Sequence, residues 1–545
     1  MKIRTHNYHT RAVAILFWVI STFWCGPSEG LAQVVAALGS PSNEATDELA
    51  DAAYGEWVSG KDAAGDYVEE VRLRVYPKAA PVPAFGTRLI PAPNDRVDGN
   101  AALFYLKAMG FFQQQSVREQ LSKLEKKWRD EASEEDLESY NFPPYNLWEL
   151  NPENLPMEQA REYLDLLSFQ TDFLYDAARR TRFEHDRAIE REDNPIGYLL
   201  PSIQGHRHIA RIQKARCRFA IAEGRIDDAV EIVGQLMAMG RHLGRDEFLV
   251  ACLVGAACHS LGVEDGFLIS QHPDAPNLYW AIAACSDPPL DLSFAFTRER
   301  QFFLLSLPIL NEVTEEVRSE LFWADFVRRY VKPRNDLFNE LASWSDDSSN
   351  SFDHFQVATT IGRDYPAARE FLEEVFGMSE KQLAQYPKAQ VVFLAMLKYH
   401  EFAFDELGKQ FVVAPASWSK EFESPVFKKW QTRLASHEGS NFVLADAFTP
   451  AQQVIGAATR VQQYQNLWQT VEAIRLTAAE NGGELPESLD QLSVPVPLDP
   501  ITNRPFDYEL KEGVAILQSA KNYNGSSYKV NLELANRAEQ KEKKE

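Results

Sequence analysis

Residues 205–270 read GHRHIARIQKARCRFAIAEGRIDDAVEIVGQLMAMGRHLGRDEFLVACLVGAACHSLGVEDGFLIS, three apolar-periodic segments separated only by glycine punctuation. In the first, Ile212, Ala215, Phe219 and Ala222 recur at spacings of three and four, which is one stripe of a 3.6-residue helix. Gly224 ends it, because glycine takes the left-handed conformation at a helix C-terminus without a Cβ clash. In the second, Asp227 and Asp228 suit the positive end of the helix dipole, Val230, Val233, Met237 and Gly240 form the buried stripe, and Gly244 closes it. The third, residues 248–261, has only His259 and Ser260 as clearly polar side chains, so it is apolar on nearly every face. Such a helix is either buried all round or a membrane span, and the run is shorter than the roughly 18 to 20 residues a bilayer needs. The reading is a core helix.

Around this centre the chain is expected to be mainly α: a multi-helix body built of α-hairpins, a short N-terminal extended or β segment, and a small C-terminal α+β module. The expected division is a signal peptide over 1–32, a flexible leader over 33–66, an extended/β segment over 67–100, a helical body over 101–449, the C-terminal module over 450–533 and a disordered charged tail over 534–545. The words Phe219-Ala-Ile-Ala-Glu-Gly-Arg-Ile-Asp-Asp-Ala229 resemble the middle of a tetratricopeptide unit. No ladder of such units recurs at a period of about 34 residues, which makes the hairpin a local packing solution.

Fifty-six Lys and Arg against 79 Asp and Glu give a net charge of −23, and without a leader carrying Lys2, Arg4, Arg11 and Glu29 it becomes −25. A surface of that sign repels phosphate backbones, so nucleic acid is excluded as a partner. The N-terminus is basic, then apolar over residues 12–24, then Gly30-Leu-Ala32, the three regions of a secretory signal peptide with cleavage after Ala32. Thr22-Phe-Trp24 before Cys25 lacks the small residues of a lipobox, and retention as an uncleaved anchor is the alternative to cleavage. The expected location is exported, periplasmic or extracellular, with no stable membrane span after cleavage. Four cysteines then remain, Cys217, Cys252, Cys258 and Cys285. An oxidising compartment permits disulfides among them, but all four sit in or beside apolar helical segments, where free cysteine is at home.

Val71-Arg-Leu-Arg-Val-Tyr76 alternates apolar and polar residues as a half-buried strand does. Arg72-Leu-Arg-Val-Tyr-Pro77, Pro83-Ala-Phe-Gly-Thr-Arg-Leu-Ile-Pro91 and Gly99-Asn-Ala-Ala102 followed by Tyr105 resemble the opening of a group of large exported planctomycete proteins of unknown function. That resemblance implies an extended segment leading into a mostly helical body. Helical patterns cover 101–128, 158–191, 292–309, 313–330, 365–376 and 379–407, and Pro-rich residues 141–156 read as a loop that packs Trp148 on the body. Residues 343–353 and 411–427 read as loops.

From 450 onward a long helix runs to Glu480, Asn481-Gly-Gly483 stops it, Leu485-Pro-Glu-Ser-Leu-Asp-Gln-Leu492 makes a short helix, and Asp499-Pro500 starts a turn. Lys511-Glu-Gly513 then turns a hairpin, and Tyr528 to Leu532 adds a strand. This order resembles the globular part of type II secretion pseudopilins. The N-terminal polymerising segment of that family is absent, and Gln518-Ser-Ala-Lys-Asn-Tyr-Asn524 offers no carboxylate for its calcium site, so neither filament formation nor calcium binding is implied.

For chemistry the chain offers no His-Glu-x-x-His, G-x-S-x-G, phosphate-binding glycine loop or C-x-x-C pair. The acidic run 130–138 lacks the ligand spacing of a calcium loop and reads as a solvated helix terminus. His206 and His208 diverge on a helix and would share a face only if extended; His259 reads as a hydrogen-bonded core histidine. Arg207, Arg211, Lys214 and Arg218 form a basic stripe expected to pair with acidic neighbouring helices. Glu184, Asp186, Glu190 and Glu192 are the one cluster that could supply two carboxylates for glycoside cleavage, with a salt-bridged helix face as the simpler reading. No catalytic, cofactor or metal residue is therefore assigned. The expected function is an exported helical scaffold or interaction protein, with an envelope or extracellular protein as partner; the alternative is a secreted hydrolase of cell-wall glycan or another extracellular polymer.

Overall fold

The computed structural model describes residues 53–535 apart from 63–64, 111–114, 186, 188–199, 286–287, 344–352, 414–423, 436–448 and 523–524. The signal-peptide reading, residues 33–52 of the leader and residues 536–545 of the charged tail lie outside these residues, as do Asp186, Glu190 and Glu192, while strands occupy Trp57–Lys61 within the expected leader and reach Leu534. The protein is mainly helical with a small β-sheet.

At its centre, helices Leu200–Ala222 and Ile226–Leu243 form a hairpin, and Gly224 between them has φ +72°. Val230, Val233, Met237 and Gly240 are all buried, as the stripe requires. The third segment is longer than its apolar run: the helix is Leu249–Ser270 and continues through Glu264 and Asp265. It is the one described helix apolar and long enough to cross a bilayer, and most of its apolar window is buried inside the protein. The long helix Thr449–Glu480 packs along it. They approach closely at Gly266, where a Cβ would stand 2.5 Å from the Trp468 indole.

The strands, in chain order, are β1 (Trp57–Lys61), β2 (Tyr67–Val75), β3 (Val97–Asn100), β4 (Arg180–Arg182), β5 (Leu498–Asp499), β6 (Arg504–Pro505), β7 (Asp507–Lys511), β8 (Val514–Gln518) and β9 (Ser527–Leu534). Five of them make one sheet in the order β1-β2-β9-β8-β7, antiparallel except for the parallel pair β2–β9. The alternation in β2 puts Val71, Leu73 and Val75 on the inward face, beside Val530 and Leu532 of β9 and Ala515 and Leu517 of β8. They share a core with Val230, Phe267, Leu467 and Trp468 of the helices. The N-terminal extended segment and the C-terminal strands, assigned to separate units from the sequence, thus meet in a single sheet. At the β7–β8 turn Glu512 and Gly513 both have positive φ, the geometry of a tight hairpin.

A second core lies among helices Glu320–Ser343, His354–Phe376, Lys388–Val412 and Pro425–Ala435, filled by Trp323, Phe326, Tyr330, Phe371, Phe393, Phe427 and Trp430. Two expected helices differ here and nearby. Residues 313–319 are not helical, because Gln390 donates to the carbonyls of Thr314 and Glu316 and Tyr386 to that of Glu315, taking the backbone acceptors a helix would use. The segment 158–191 is not one helix but Met157–Leu166, Gln170–Ala178 and then β4, which pairs with β3.

Candidate functional site

The ionisable side chains inside the body form two arrangements of different character. In the first, Glu472 and Arg475 of the long helix are both fully buried, with Arg475 Nη1 donating to Glu472 Oε1 at 2.6 Å and Oε2 at 2.8 Å. Ser270 Oγ and the Leu278 amide also donate to this carboxylate, at 2.5 and 2.8 Å. Arg475 Nε reaches the Tyr76 carbonyl just beyond β2. Every arm of the pair is used, and it clamps the long helix to the core helix and to the exit of β2. A buried ion pair holds only with such additional bonds.

The second arrangement lies where the core helix faces the basic stripe of helix Leu200–Ala222. Lys214 Nζ donates to Glu264 Oε2 at 2.7 Å, Arg218 Nη2 to Glu264 Oε1 at 2.9 Å and Arg218 Nε to Asp265 Oδ1 at 3.1 Å. Arg218 also donates to the carbonyls of Glu149 and Leu150, and Arg211 stacks on Trp148 with its guanidinium 4.8 Å from the ring. Two residues of the basic stripe, Lys214 and Arg218, therefore pair with carboxylates, which are carried by the apolar core helix rather than by an acidic one, and Trp148 seats the 141–156 loop on Arg211. Burial opposes the Glu264 carboxylate, but Lys214 and Arg218 outweigh it and hold its pKa below the ordinary value. Burial raises Asp265 despite Arg218.

Glu264 is the unusual member. Its side chain keeps 28% of its surface accessible while Val263, Asp265 and Gly266 beside it are buried. Its charge is felt at Glu69 on the inward face of the sheet, where a row of register partners crosses three strands: Ser59 of β1, Glu69 of β2 and Tyr528 of β9. Ser59 is exposed, Glu69 half-buried and Tyr528 buried, so the row descends from solvent into the body. Tyr528 stacks on Tyr464 of the long helix at 5.1 Å, and Tyr464 in turn meets Trp57 at 5.1 Å and Phe267 at 5.3 Å. Arg460 lies one helical turn before Tyr464 and so on the same face.

Burial pushes the Glu69 carboxyl up to about 7; Arg460 pulls the other way, and the charge of Glu264 adds to the rise. Burial likewise lowers Arg460, against the pull of Tyr528 and Glu69. Two carboxyl groups that feel one another's charge are thus in opposite states, Glu69 able to hold a proton near neutrality and Glu264 held ionised.

The other residues singled out from sequence are placed apart from them. His206 is buried and His208 exposed, so they do not share a face. His259 is buried with Nε2 2.9 Å from Gln465 Oε1, and burial lowers it to about 4, a core histidine. Glu184 is exposed and its backbone is tied to the Asn100 side chain. The four cysteines are free thiols. Glu69 and Arg460 drew no notice in the sequence, although the parity of Glu69 with Val71, Leu73 and Val75 already puts a carboxylate on the inward face of β2. Comparison with family models, curated proteins and solved structures finds no match for this chain.

Proposed function

We propose that the chain is an exported helical scaffold or interaction protein whose partner is an envelope or extracellular protein. The observation that supports this is the use made of interior charge: Glu472–Arg475 and Lys214/Arg218–Glu264/Asp265 bind together segments far apart in sequence. Charge deployed in that way fixes a shape, which is what a scaffold supplies. The net charge of −23 disfavours nucleic acid as the partner. The tetratricopeptide-like words of the central hairpin and the pseudopilin-like order of the C-terminal region belong to the same proposal, the first as a packing element and the second as a part docked on the body through β9.

Two experiments test it. A reporter active only outside the cytoplasm, fused after Glu545, is expected to be active, and an inactive fusion removes the exported half of the reading. Cross-linking in cells followed by purification through the same fusion is expected to enrich one envelope protein in near-stoichiometric yield; recovery at background removes the other half.

One observation favours a second reading, a secreted hydrolase of cell-wall glycan: Glu69 at about 7 and Glu264 below its ordinary value are split as an acid and a base are split in such enzymes. Release of reducing ends from purified cell-wall glycan, abolished in both Glu69→Gln and Glu264→Gln, is the outcome it requires. Absence of release by the native chain dismisses it.

A further inference from the structure

Five rings from four elements meet at the end of the central hairpin, and three of them are imidazoles. Phe183, buried just beyond β4, packs against the other four. Between ring centroids it lies 6.1 Å from Tyr105 of helix Ala102–Ala108, 5.9 Å from His206, 6.0 Å from His242 and 5.0 Å from His185. His185 meets His206 edge-on at 5.8 Å. The bonds of His242 fix its state. Its Nε2 lies 3.1 Å from the Arg180 carbonyl oxygen, which only accepts, so Nε2 carries the proton; Nδ1 is then bare and accepts from the Tyr105 hydroxyl at 2.9 Å. The ring is neutral with both nitrogens used, and a second proton on it takes away the acceptor of Tyr105. Nε2 of His185 is buried with no hydrogen-bond partner among the described residues, so a charge gained there is shared with nothing. The charged and titratable groups around the two rings are His206 and Tyr105 within the cluster, Cys258 behind Tyr105, and the cations Arg180, Arg187, Arg241 and Arg245. Glu184 is exposed. The carboxylates at this end are taken by arginines: Asp246 accepts both arms of Arg187 at 2.8 and 2.7 Å, and Glu247 accepts from Arg187 at 3.4 Å and Arg298 at 3.1 Å.

We infer that residues 180–185 and Arg187 form a strap that acid releases: neutral His185 and His242 hold it on the hairpin, and a proton on either imidazole drives it off before the body unfolds. The strap is fastened by the Arg180 carbonyl on His242, by the Phe183 ring among the imidazoles and by Arg187 on Asp246, and the first two fastenings require uncharged rings. Little else holds it, since its one sheet partner among the described residues is the four-residue β3. Burial lowers His242 to about 3, with Arg241 adding to the effect, and His185 to about 4, with Arg187 adding to it. Release returns each ring toward its ordinary 6.5 and so takes up protons. The hold is therefore complete above about pH 6.5 and weakens as pH falls from there toward about 4, each ring multiplying the opening equilibrium roughly 50- to 100-fold between about pH 7.5 and 4.5. His259 and His400 are lowered to about 4 as well, but they sit within helices Leu249–Ser270 and Lys388–Val412, so their protonation weakens the body and not the strap. Release bares Phe183, Tyr105 and the Asp246 carboxylate, an apolar surface with an acidic edge that neutral pH keeps covered. This inference rests on neither functional reading above.

Hydrogen exchange of the full chain at pH 7.5 and 4.5, read by mass spectrometry and corrected for the pH dependence of intrinsic exchange, tests the strap. Peptides covering residues 180–185 are expected to open at least tenfold more at pH 4.5 while helix Leu249–Ser270 stays protected. Unchanged protection of 180–185, or its loss together with that of the core helix, overturns the inference. Two variants then assign the group. His242→Gln keeps a donor for the Arg180 carbonyl and an acceptor for Tyr105 without titrating, and His185→Phe keeps a ring; in each the acid response is expected to fall at least fivefold. A full response in both folded variants means that protonation of Asp246 or Glu247 drives the release, and overturns the role of the imidazoles. Should neither variant fold, nitrogen NMR of the histidine-labelled native chain gives the reading: His185 and His242 must be neutral at pH 7.5 and gain their protons at the same midpoint at which 180–185 loses protection. Protonation of both rings with the strap still protected overturns it.

Discussion

Glu69 sits on a strand face it shares with Tyr67, Val71, Leu73 and Val75, and the position is costly in a pH-dependent way. Its carboxyl is raised from 4.5 to about 7 by burial, with Glu264 adding to the rise, Arg460 opposing it and Tyr464 and Tyr528 as its other titratable neighbours. The folded state therefore holds this proton more tightly than the unfolded chain does. The sign follows: stability is unaffected by the group below about 4.5 and is lost as pH rises through about 7, approaching a cost of about 3 kcal/mol at pH 8.5. Glu69→Gln removes the charge at nearly constant shape. Denaturant unfolding is expected to find the variant more stable than the native chain by up to about 3 kcal/mol at pH 8.5 and level with it at pH 4.5. An equal difference at both pH values would show that Glu69 is not the group responsible. The residue was legible in one respect and hidden in another. Parity in Tyr67-Val-Glu-Glu-Val-Arg-Leu-Arg-Val75 places it inward, but only the fold brings Arg460 and Glu264, some 390 and 195 positions away, to its side.

At the scale of the helices, local periodicity and glycine punctuation are legible in the sequence, and contacts with a distant partner are not. The hairpin of Leu200–Ala222 and Ile226–Leu243 follows from periodicity and Gly224. The apolar run of the core helix ends at residue 261, yet the helix continues to Ser270, because Lys214 and Arg218 of another helix admit Glu264 and Asp265 to its packed face. Two glycines make the packing testable. Gly266→Ala would drive a Cβ into the Trp468 indole, which cannot swing away without losing its bond to Ser270 Oγ at 3.1 Å. We expect a loss of about 3 kcal/mol, the upper range for an overpacked site. Gly362, exposed within helix His354–Phe376, has open space where a Cβ would go. Gly362→Ala is expected to stabilise by about 0.5–1 kcal/mol through helix propensity. Unfolding midpoints that move the same way in both variants would contradict this account of the contact.

At the scale of the whole molecule, the thiols among the described residues are spent on packing rather than on bonds. Cys217, Cys252 and Cys258 are buried, and burial pushes Cys258 and Cys285 up to about 12 and Cys217 well above its ordinary range. Alkylation of the native protein is expected to leave Cys217, Cys252 and Cys258 unmodified and to label all four after unfolding without reductant. A pair that labels only after reduction would mean a disulfide. The sheet is the feature least visible from sequence, since its central pair joins strands from opposite ends of the chain. Its side-chain bond from Asn531 to Glu70 spans 461 positions. A ribosome delivers β2 long before β9: at roughly 5–20 residues per second the interval is roughly 20 to 90 s. Throughout that wait β2 lacks its β9 partner and has one edge unpaired, a template to which neighbouring nascent chains can add. Until the final strand arrives, the open edge of the newborn polypeptide's first β-hairpin is an invitation to aggregate, and the helices synthesised in between can cover only its inward face.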